Sequence, residues 1–204
     1  MIITRIEPLT KTKFRIYIDG EPAFVLYKGE LKRFNIAEEE EISELTVEKI
    51  NKEVILKRAK LRAMHLLEDM DRTEKALRDK LRQGGYPDSA IDGAVAYVRS
   101  FGYLDDTRFA ENFVLSRKGS KSRREIQALL AQKGVPADTA QAALEQIYGE
   151  DGEQDSIRQI LRKKKLDPEQ ADEQTLHKIY AYLARKGYRY EDIRQVIQND
   201  YPNA

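Results

Sequence analysis

Cysteine and tryptophan are absent from the 204-residue chain, and histidine occurs only twice. The absence of cysteine excludes disulfide bonds and thiol chemistry. No apolar run approaches the roughly 18 residues of a membrane span. The first residues also have neither the apolar core nor the small-residue cleavage site of a signal peptide. From these features we expect a soluble cytoplasmic protein.

The motifs of common enzyme active sites are also missing from the sequence. It contains no G-x-x-x-x-G-K-[ST] phosphate loop, no G-x-G-x-x-G nucleotide motif, no H-E-x-x-H zinc motif and no calcium loop. His65 and His177 are far apart in the sequence, and we interpret both as structural or surface residues. The sequence therefore predicts a protein that is not an enzyme and has no cofactor or metal.

Charged residues, by contrast, are abundant and unevenly distributed. They make up 35% of the chain, against roughly 25% in an average globular protein. The net charge is only +1, but residues 51–124 alone carry +6, whereas residues 1–50 carry −2 and residues 125–204 carry −3. A local basic excess of this kind favours an acidic protein surface or nucleic-acid phosphate as the partner.

Three segments of the chain align without gaps around Gly85, Gly134 and Gly187. A hydroxyl residue twelve positions before each glycine predicts a helix N-cap, and aliphatic residues eight and four positions before it predict one buried helical face. The glycine itself predicts the left-handed residue that ends a helix. The predicted caps are Thr73, Ser122 and Thr175, and the aliphatic pairs are Leu77 and Leu81, Ile126 and Leu130, and Ile179 and Leu183.

Each aligned segment is thus predicted to contain a helix, a glycine turn and a second helix. Apolar residues at helical spacing before each segment predict one further helix for each repeat. The sequence therefore predicts a mainly α fold of three tandem three-helix repeats, spanning residues 46–104, 105–150 and 151–204. Each repeat is too small to bury a core of its own, so we expect neighbours to stack in an elongated array that can curve.

The first 45 residues have a different pattern. Phe14, Ile16 and Ile18 alternate with polar residues and lead into an Asp19-Gly20 turn, which predicts a β-hairpin in residues 1–45. Pro22 cannot donate a backbone hydrogen bond, so the second strand is predicted to start irregularly or to lie at an edge.

The stretch GYLDD, residues 102–106, is predicted to join the first repeat to the second. Gly102 closes one helix, Tyr103 and Leu104 pack over the joint, and Asp105 or Asp106 begins the next helix. A metal site or an acid/base pair is the alternative for the two aspartates. Carboxylates adjacent in sequence do not face each other, which favours the helix cap.

The same stretch carries a resemblance. The residues that carry it are Gly102, Tyr103, Leu104, Asp105, Asp106, Arg108, Phe109 and Ala110, followed by Ser122, Ile126, Lys133 and Gly134. With them the sequence resembles the signature of the RecX family over roughly residues 50–200. The resemblance implies tandem three-helix repeats and a regulator of the RecA recombinase in recombination, DNA repair and the SOS response. Such a regulator is expected to bind RecA–single-stranded-DNA filaments and to inhibit ATP hydrolysis and strand exchange, and some members also bind DNA weakly.

Three groups of cations are candidates for contact with RecA or DNA. The densest is the turn RKGSKSRR, residues 117–124 of the second repeat, where Gly119 and two serines predict a mobile backbone. Its alternative is an ordinary solvated turn. A run near residue 163 ends a helix, where the helix dipole alone favours cations. A third group surrounds the second helix of the first repeat, where pairing with Glu74 and Asp79 is the alternative. The candidates are Arg117, Lys118, Lys121, Arg123 and Arg124, then Lys163 and Lys164, then Arg72, Arg78 and Arg82.

Two other functions stay open at this point. The chain could be a helical-repeat protein that binds DNA weakly and without sequence preference, or an adaptor for a different protein. Tyr86 and Tyr188 occupy equivalent positions where the second repeat has Val135, which favours packing over base stacking. We expect a monomer without membrane contact.

Overall fold

A computed structural model describes residues 1–149 and 152–201. The chain divides into two compact units, residues 1–105 and residues 106–204. Among the described residues, no helix is both long and apolar enough to cross a membrane. The helices are α1 (Lys28–Arg33), α2 (Glu44–Ile50), α3 (Leu56–Asp69), α4 (Glu74–Gln83), α5 (Asp88–Ser100), α6 (Asp106–Arg117), α7 (Arg123–Gln132), α8 (Ala137–Tyr148), α9 (Gly152–Lys164), α10 (Glu173–Arg185) and α11 (Tyr190–Asp200).

The N-terminal region is a three-stranded antiparallel sheet in the order β1-β2-β3. The strands are β1 (Ile3–Pro8), β2 (Lys13–Ile18) and β3 (Glu21–Tyr27). The predicted hairpin is β2–β3, and both turn residues have positive φ, 51° at Asp19 and 89° at Gly20. As predicted, Pro22 lies in an edge strand, beside an irregularity in the register. The prediction missed the third strand, β1.

The sheet and the first repeat share one hydrophobic core. Ile16 and Leu26 of the sheet and Ile50, Leu81 and Ile91 of the helices are all fully buried in the same cluster. Helix α2 continues through a π-helical turn, Asn51–Ile55, into α3. The first repeat therefore buries its apolar side chains together with the sheet. The second and third repeats each bury a separate cluster, so the expectation that a repeat is too small for a core of its own is wrong for these two.

The three predicted repeats are α3–α5, α6–α8 and α9–α11. Within each repeat the central helix presents the predicted aliphatic pair to the core, and no member of these pairs is more than 3% exposed. The pairs are Leu77 and Leu81, Ile126 and Leu130, and Ile179 and Leu183. The mainly α fold of tandem three-helix repeats is therefore confirmed.

The repeat glycines end their helices in one shared geometry. Gly85, Gly134 and Gly187 have φ of 78°, 79° and 88°. The amide of the residue after each glycine donates to the carbonyl five residues before it, as Tyr188 does to Leu183 over 3.3 Å. The glycine amide donates to the carbonyl three residues before it, and together these bonds form a Schellman motif.

Two of the three predicted helix caps are confirmed. The Thr73 hydroxyl accepts from the Ala76 amide at 3.2 Å, and the Ser122 hydroxyl accepts from the Glu125 amide at 3.1 Å. The third prediction is wrong, because Asp172 caps α10 by accepting from the amide of Thr175 at 2.8 Å. The helix thus begins about one turn earlier than predicted.

The GYLDD joint follows the prediction except at its tyrosine. Helix α5 ends at Ser100, Gly102 has φ of 69°, and Leu104 is only 4% exposed. Tyr103, however, is 52% exposed and stacks on Phe101 at 5.9 Å, so it does not pack into the joint. Helix α6 begins at Asp106, which places Asp105 at the position before the helix.

A candidate interface on the second unit

The densest run of cations lies in the turn between α6 and α7, residues 117–124. Its backbone is hydrogen-bonded to another repeat, and the mobility expected from Gly119 and its neighbouring serines stays a prediction. The amide of Gly119, whose φ is 80°, donates to the buried Ser156 hydroxyl of α9 at 3.2 Å. A side chain at residue 119 would collide with Gln159. The turn is thus packed against the third repeat.

Two of the five predicted cations already bind acceptors within the protein. Lys118 donates to the carbonyl of Ile147 at 2.7 Å, and Lys121 pairs with Glu125 one turn further along α7. Arg117, Arg123 and Arg124 have no carboxylate partner among residues 1–149 and 152–201. Their guanidinium groups are the ones available to an external anion.

The α10–α11 turn meets the beginning of α7. The Ser122 hydroxyl donates to the carbonyl of Lys186 at 2.7 Å, and Lys186 donates to the carbonyl of Ser120 at 3.3 Å. A Cβ atom at Gly187 would lie 2.8 Å from the Ser122 hydroxyl, so only glycine permits this approach. The contact brings side chains 64 residues apart onto one surface.

Two adjoining cavities, each of about 510 Å³, open along this contact and share Arg124, Ala184 and Gly187. Glu125, Glu153 and Asp192 also line them, so the surface is mixed in charge with an excess of cations. We call this surface the basic groove. Its cations are Arg123, Arg124, Arg185, Lys186 and Arg189.

Sequence reasoning found Arg123 and Arg124 but missed the three cations of the third repeat. The only signal for them was the Lys-Gly pair that recurs as Lys133-Gly134 and Lys186-Gly187. The repeat alignment could have placed Lys186 at a helix end. It could not show that this helix end faces α7.

A buried polar cluster supports the groove from beneath. Tyr148 donates its hydroxyl to the carbonyl of Lys121 at 2.7 Å, and Glu153 accepts from the amide of Arg123 at 2.6 Å. Burial raises the pKa of Tyr148 to about 12 and also raises the pKa values of Tyr188 and Glu153. The bonds made by Tyr148 and Glu153 hold the backbone of the basic turn in place.

Tyr188 and Val135, at the position after their repeat glycines, are only 4% and 5% exposed. Packing is therefore confirmed for these two residues. Tyr86, at the equivalent position of the first repeat, is half-buried, packs against the core of the first unit and also lines a cavity.

The three candidate cations of the first repeat form ion pairs or hydrogen bonds with nearby residues of that repeat. Arg78 pairs with Glu74 at 2.8 Å and with Asp92 at 2.6 Å. Arg82 pairs with Asp88 at 3.1 Å and with Asp79 at 3.5 Å. Arg72 donates to the carbonyl of Leu66 at 2.8 Å.

Lys163 and Lys164 lie in the last turn of α9, are exposed, and take no part in the basic groove. Arg108 and Phe109, the remaining motif residues, lie in α6, where Phe109 stacks on Phe113 at 6.1 Å. Contact of any of these side chains with a partner stays a prediction.

Comparison with known proteins assigns the family. Models of the first, second and third three-helix domains of RecX match residues 59–97, 105–144 and 151–197. The chain belongs to the RecX family. Family membership agrees with the absence of enzyme motifs, because RecX proteins are regulatory proteins.

Two relatives show how much of the chain the RecX likeness covers. The regulatory protein RecX of Caldanaerobacter subterraneus subsp. tengcongensis is 33% identical over 97% of this chain and 98% of its own. The regulatory protein RecX of Clostridium botulinum strain Eklund 17B is 30% identical over 96% of this chain and 94% of its own. The family models match within the expected residues 50–200, and these two alignments also extend beyond them.

A solved structure supports the fold. The crystal structure of a regulatory protein RecX has a TM-score of 0.60 at 22% identity, covering 96% of this chain and 98% of that one. At this identity the likeness concerns the fold alone. The RecX fold and a regulatory role are therefore established for this chain.

Proposed function

We propose that this RecX protein binds RecA–single-stranded-DNA filaments and inhibits their ATP hydrolysis and strand exchange. The proposal rests on family membership together with the basic groove, where cations of two repeats form one surface. Family membership supports a RecA filament as the partner. The groove supplies the charge that an acidic protein surface or DNA phosphate requires.

The Ser122–Lys186 contact explains how binding could act on the filament. It fixes the cations of α7 relative to those of the α10–α11 turn, so an anionic partner meets a preformed surface. Binding to a preformed surface loses little conformational entropy. ATP turnover in a filament requires neighbouring protomers to change their relative orientation, and a rigid ligand that contacts two of them opposes that change.

The test is RecA ATPase activity on single-stranded DNA, titrated with this protein and two variants. The groove variant carries Arg124→Ala and Arg185→Ala, two exposed residues that line the groove. The control carries Lys178→Ala and Arg194→Ala, which remove the same charge from the same unit without lining it. We expect inhibition by the parent and the control, and a concentration for half-inhibition raised about tenfold or more for the groove variant.

Two results would contradict parts of the proposal. Equal inhibition by all three proteins would support the proposed function but would show that the contact lies outside the groove. The absence of inhibition by the parent at low salt and saturating concentration would leave an adaptor with a different partner.

A further inference from the structure

The first unit contains a cleft that the proposed function does not use. It lies between the N-terminal sheet and the turn that follows α4, and it has a volume of about 300 Å³. A volume of this size is at the lower end for pockets that hold small organic groups. Its wall is formed by Leu9, Thr10, Lys13, Arg15, Val25, Tyr27, Ile55, Arg58, Gln83, Gly84, Gly85 and Tyr86.

The charge of this wall is of one sign. Three cations, Lys13, Arg15 and Arg58, line the cleft, and no carboxylate does. Lys13 has no ion-pair partner within the described part of the chain, while Arg15 pairs with Glu7 at 3.4 Å and Arg58 with Glu30 at the same distance. The Arg15–Glu7 pair is 40% and 36% exposed, and an exposed pair of this kind is weak enough for phosphate to replace the carboxylate. The cleft therefore favours an anion, with Lys13 and Arg15 as the cations that can reach it.

Aromatic rings stand among these cations. Tyr27 is 37% exposed, with the Lys13 ammonium 5.5 Å and the Arg58 guanidinium 5.0 Å from its ring centre. Tyr86 contributes a second, half-buried ring. Cations interleaved with partly exposed aromatic rings are the combination that binds a phosphate backbone and its bases together.

The cleft continues into a second cavity, also of about 300 Å³. The two share Arg15, Val25, Gly85 and Tyr86, and the second is also lined by Tyr17. Together the two cavities are lined by residues along β3 from Pro22 to Tyr27, so they follow the strand rather than form one enclosed pocket. An extended strand of nucleotides fits this arrangement better than a free nucleotide.

A peptide strand is less suited to the same place. It would have to pair with the free edge of β3, as in β-augmentation. That edge contains Pro22, which has no amide hydrogen, and the carbonyl of Val25 already accepts from Arg58 at 2.7 Å. Duplex DNA is disfavoured too, because its stacked bases cannot reach the tyrosine rings.

We propose that this cleft binds a single-stranded nucleic-acid segment, with Lys13 and Arg15 contacting phosphate groups and Tyr27 and Tyr86 contacting bases. Arg58 holds the edge of β3 and flanks the Tyr27 ring. The N-terminal sheet then has a binding role in addition to its structural one.

The first experiment measures binding of a fluorescently labelled oligodeoxythymidine of about 20 residues by anisotropy, over a range of salt concentrations. It contains no recombinase, so its failure is distinct from a failure of the proposed function. The cleft variant is Lys13→Ala with Arg15→Ala. The control is Lys11→Ala with Lys32→Ala, which removes the same charge from exposed positions of the same unit outside the cleft.

Loss of two phosphate contacts should lower the slope of log affinity against log salt by about 1.4. Affinity at about 0.1 M salt should then fall roughly twenty-fold, while the control falls much less. The charge-preserving variant Lys13→Arg with Arg15→Lys should bind like the parent. Equal losses in the cleft variant and the control, or no binding by the parent, would overturn the proposal.

Two competitors test the chemistry of the ligand. Unlabelled oligodeoxythymidine should displace the probe, whereas thymidine monophosphate and an oligoglutamate of equal charge should not. Displacement by the mononucleotide at equal nucleotide concentration would show a free-nucleotide site, and displacement by oligoglutamate a general anion site. Either result would replace the strand proposal.

A second measurement locates the strand without any variant. Iodouridine in the oligonucleotide forms photo-crosslinks with nearby aromatic side chains. We expect the crosslinked peptides to contain Tyr27 or Tyr86. Crosslinks confined to the second unit would overturn the assignment to this cleft.

Discussion

The Ser122 hydroxyl accepts from the amide of Glu125 at 3.1 Å and donates to the carbonyl of Lys186 at 2.7 Å. A single buried side chain therefore caps α7 and joins the second repeat to the third. Replacing Ser122 with Ala would leave a buried amide and a carbonyl without this partner, at a cost of about 1–3 kcal/mol. The exposed Ser120→Ala should change the urea midpoint little. Equal effects of the two changes would contradict the dual role.

Gly187→Ala should destabilise the protein more than Gly102→Ala. Both glycines have positive φ, 88° and 69°, so alanine at either costs about 1–2 kcal/mol of backbone strain. At residue 187 the new Cβ would also lie 2.8 Å from the Ser122 hydroxyl, whereas nothing lies within 4 Å at residue 102. Thermal unfolding of both variants measures the difference, and equal losses would mean that the contact relaxes freely.

Glu153→Gln should increase stability at neutral pH. Burial raises the pKa of Glu153, so the folded state binds a proton more readily than the unfolded state does. Stability of the parent should therefore rise as the pH falls from neutral towards the raised pKa. Glutamine keeps an acceptor for the Arg123 amide without the charge, while Glu153→Ala loses the acceptor and should destabilise. Urea unfolding at pH 5 and 7 tests both signs.

The eleven tyrosines should not all ionise in a single transition as the pH is raised. Burial raises the pKa of Tyr148 to about 12, whereas in the unfolded chain tyrosine ionises near pH 10. Absorbance at the tyrosinate band should therefore show a delayed group, which disappears in urea and is reduced in Tyr148→Phe. The raised pKa stabilises the fold fully below pH 10 and loses this contribution as the pH rises towards 12. A single transition near pH 10 in the folded protein would refute this.

Arg78→Gln should reduce stability by about 1 kcal/mol and leave inhibition of RecA unchanged. Arg78 is 25% exposed and bridges Glu74 and Asp92, so its charge is already compensated inside the first repeat. Urea unfolding and the RecA ATPase assay separate the two roles. Weaker inhibition at unchanged stability would instead support the sequence-based prediction of a partner contact.

The helices and their ends were predictable because their signals are local. Leu77, Leu81 and Gly85 lie within one helix and its turn, so their spacing alone determines which face is buried and where the helix stops. The cap of α10 was misplaced because Asp172 and Thr175 are one turn apart and both can accept an amide hydrogen bond. The aspartate position adds a turn to the helix.

Features that depend on distant pairing were not predictable. The amide of Ile3 in β1 donates to the carbonyl of Glu40, so part of what holds this strand lies far from the hairpin. The basic groove depends on the contact between Ser122 and Lys186. The hydrophobic periodicity of a sequence does not predict a contact between residues that are 64 positions apart. The packing of the 117–124 turn was not predictable either, because its hydrogen-bond partner, Ser156, comes from another repeat.

The sheet and the first repeat share one core, whereas the second and third repeats each bury an apolar cluster of their own. Ile16 and Leu26 of the sheet are fully buried in the same cluster as Leu81 and Ile91 of the first repeat. Removal of the N-terminal sheet would therefore expose apolar side chains of the first repeat to water. A shortened form of the protein that keeps the first repeat must keep the sheet with it.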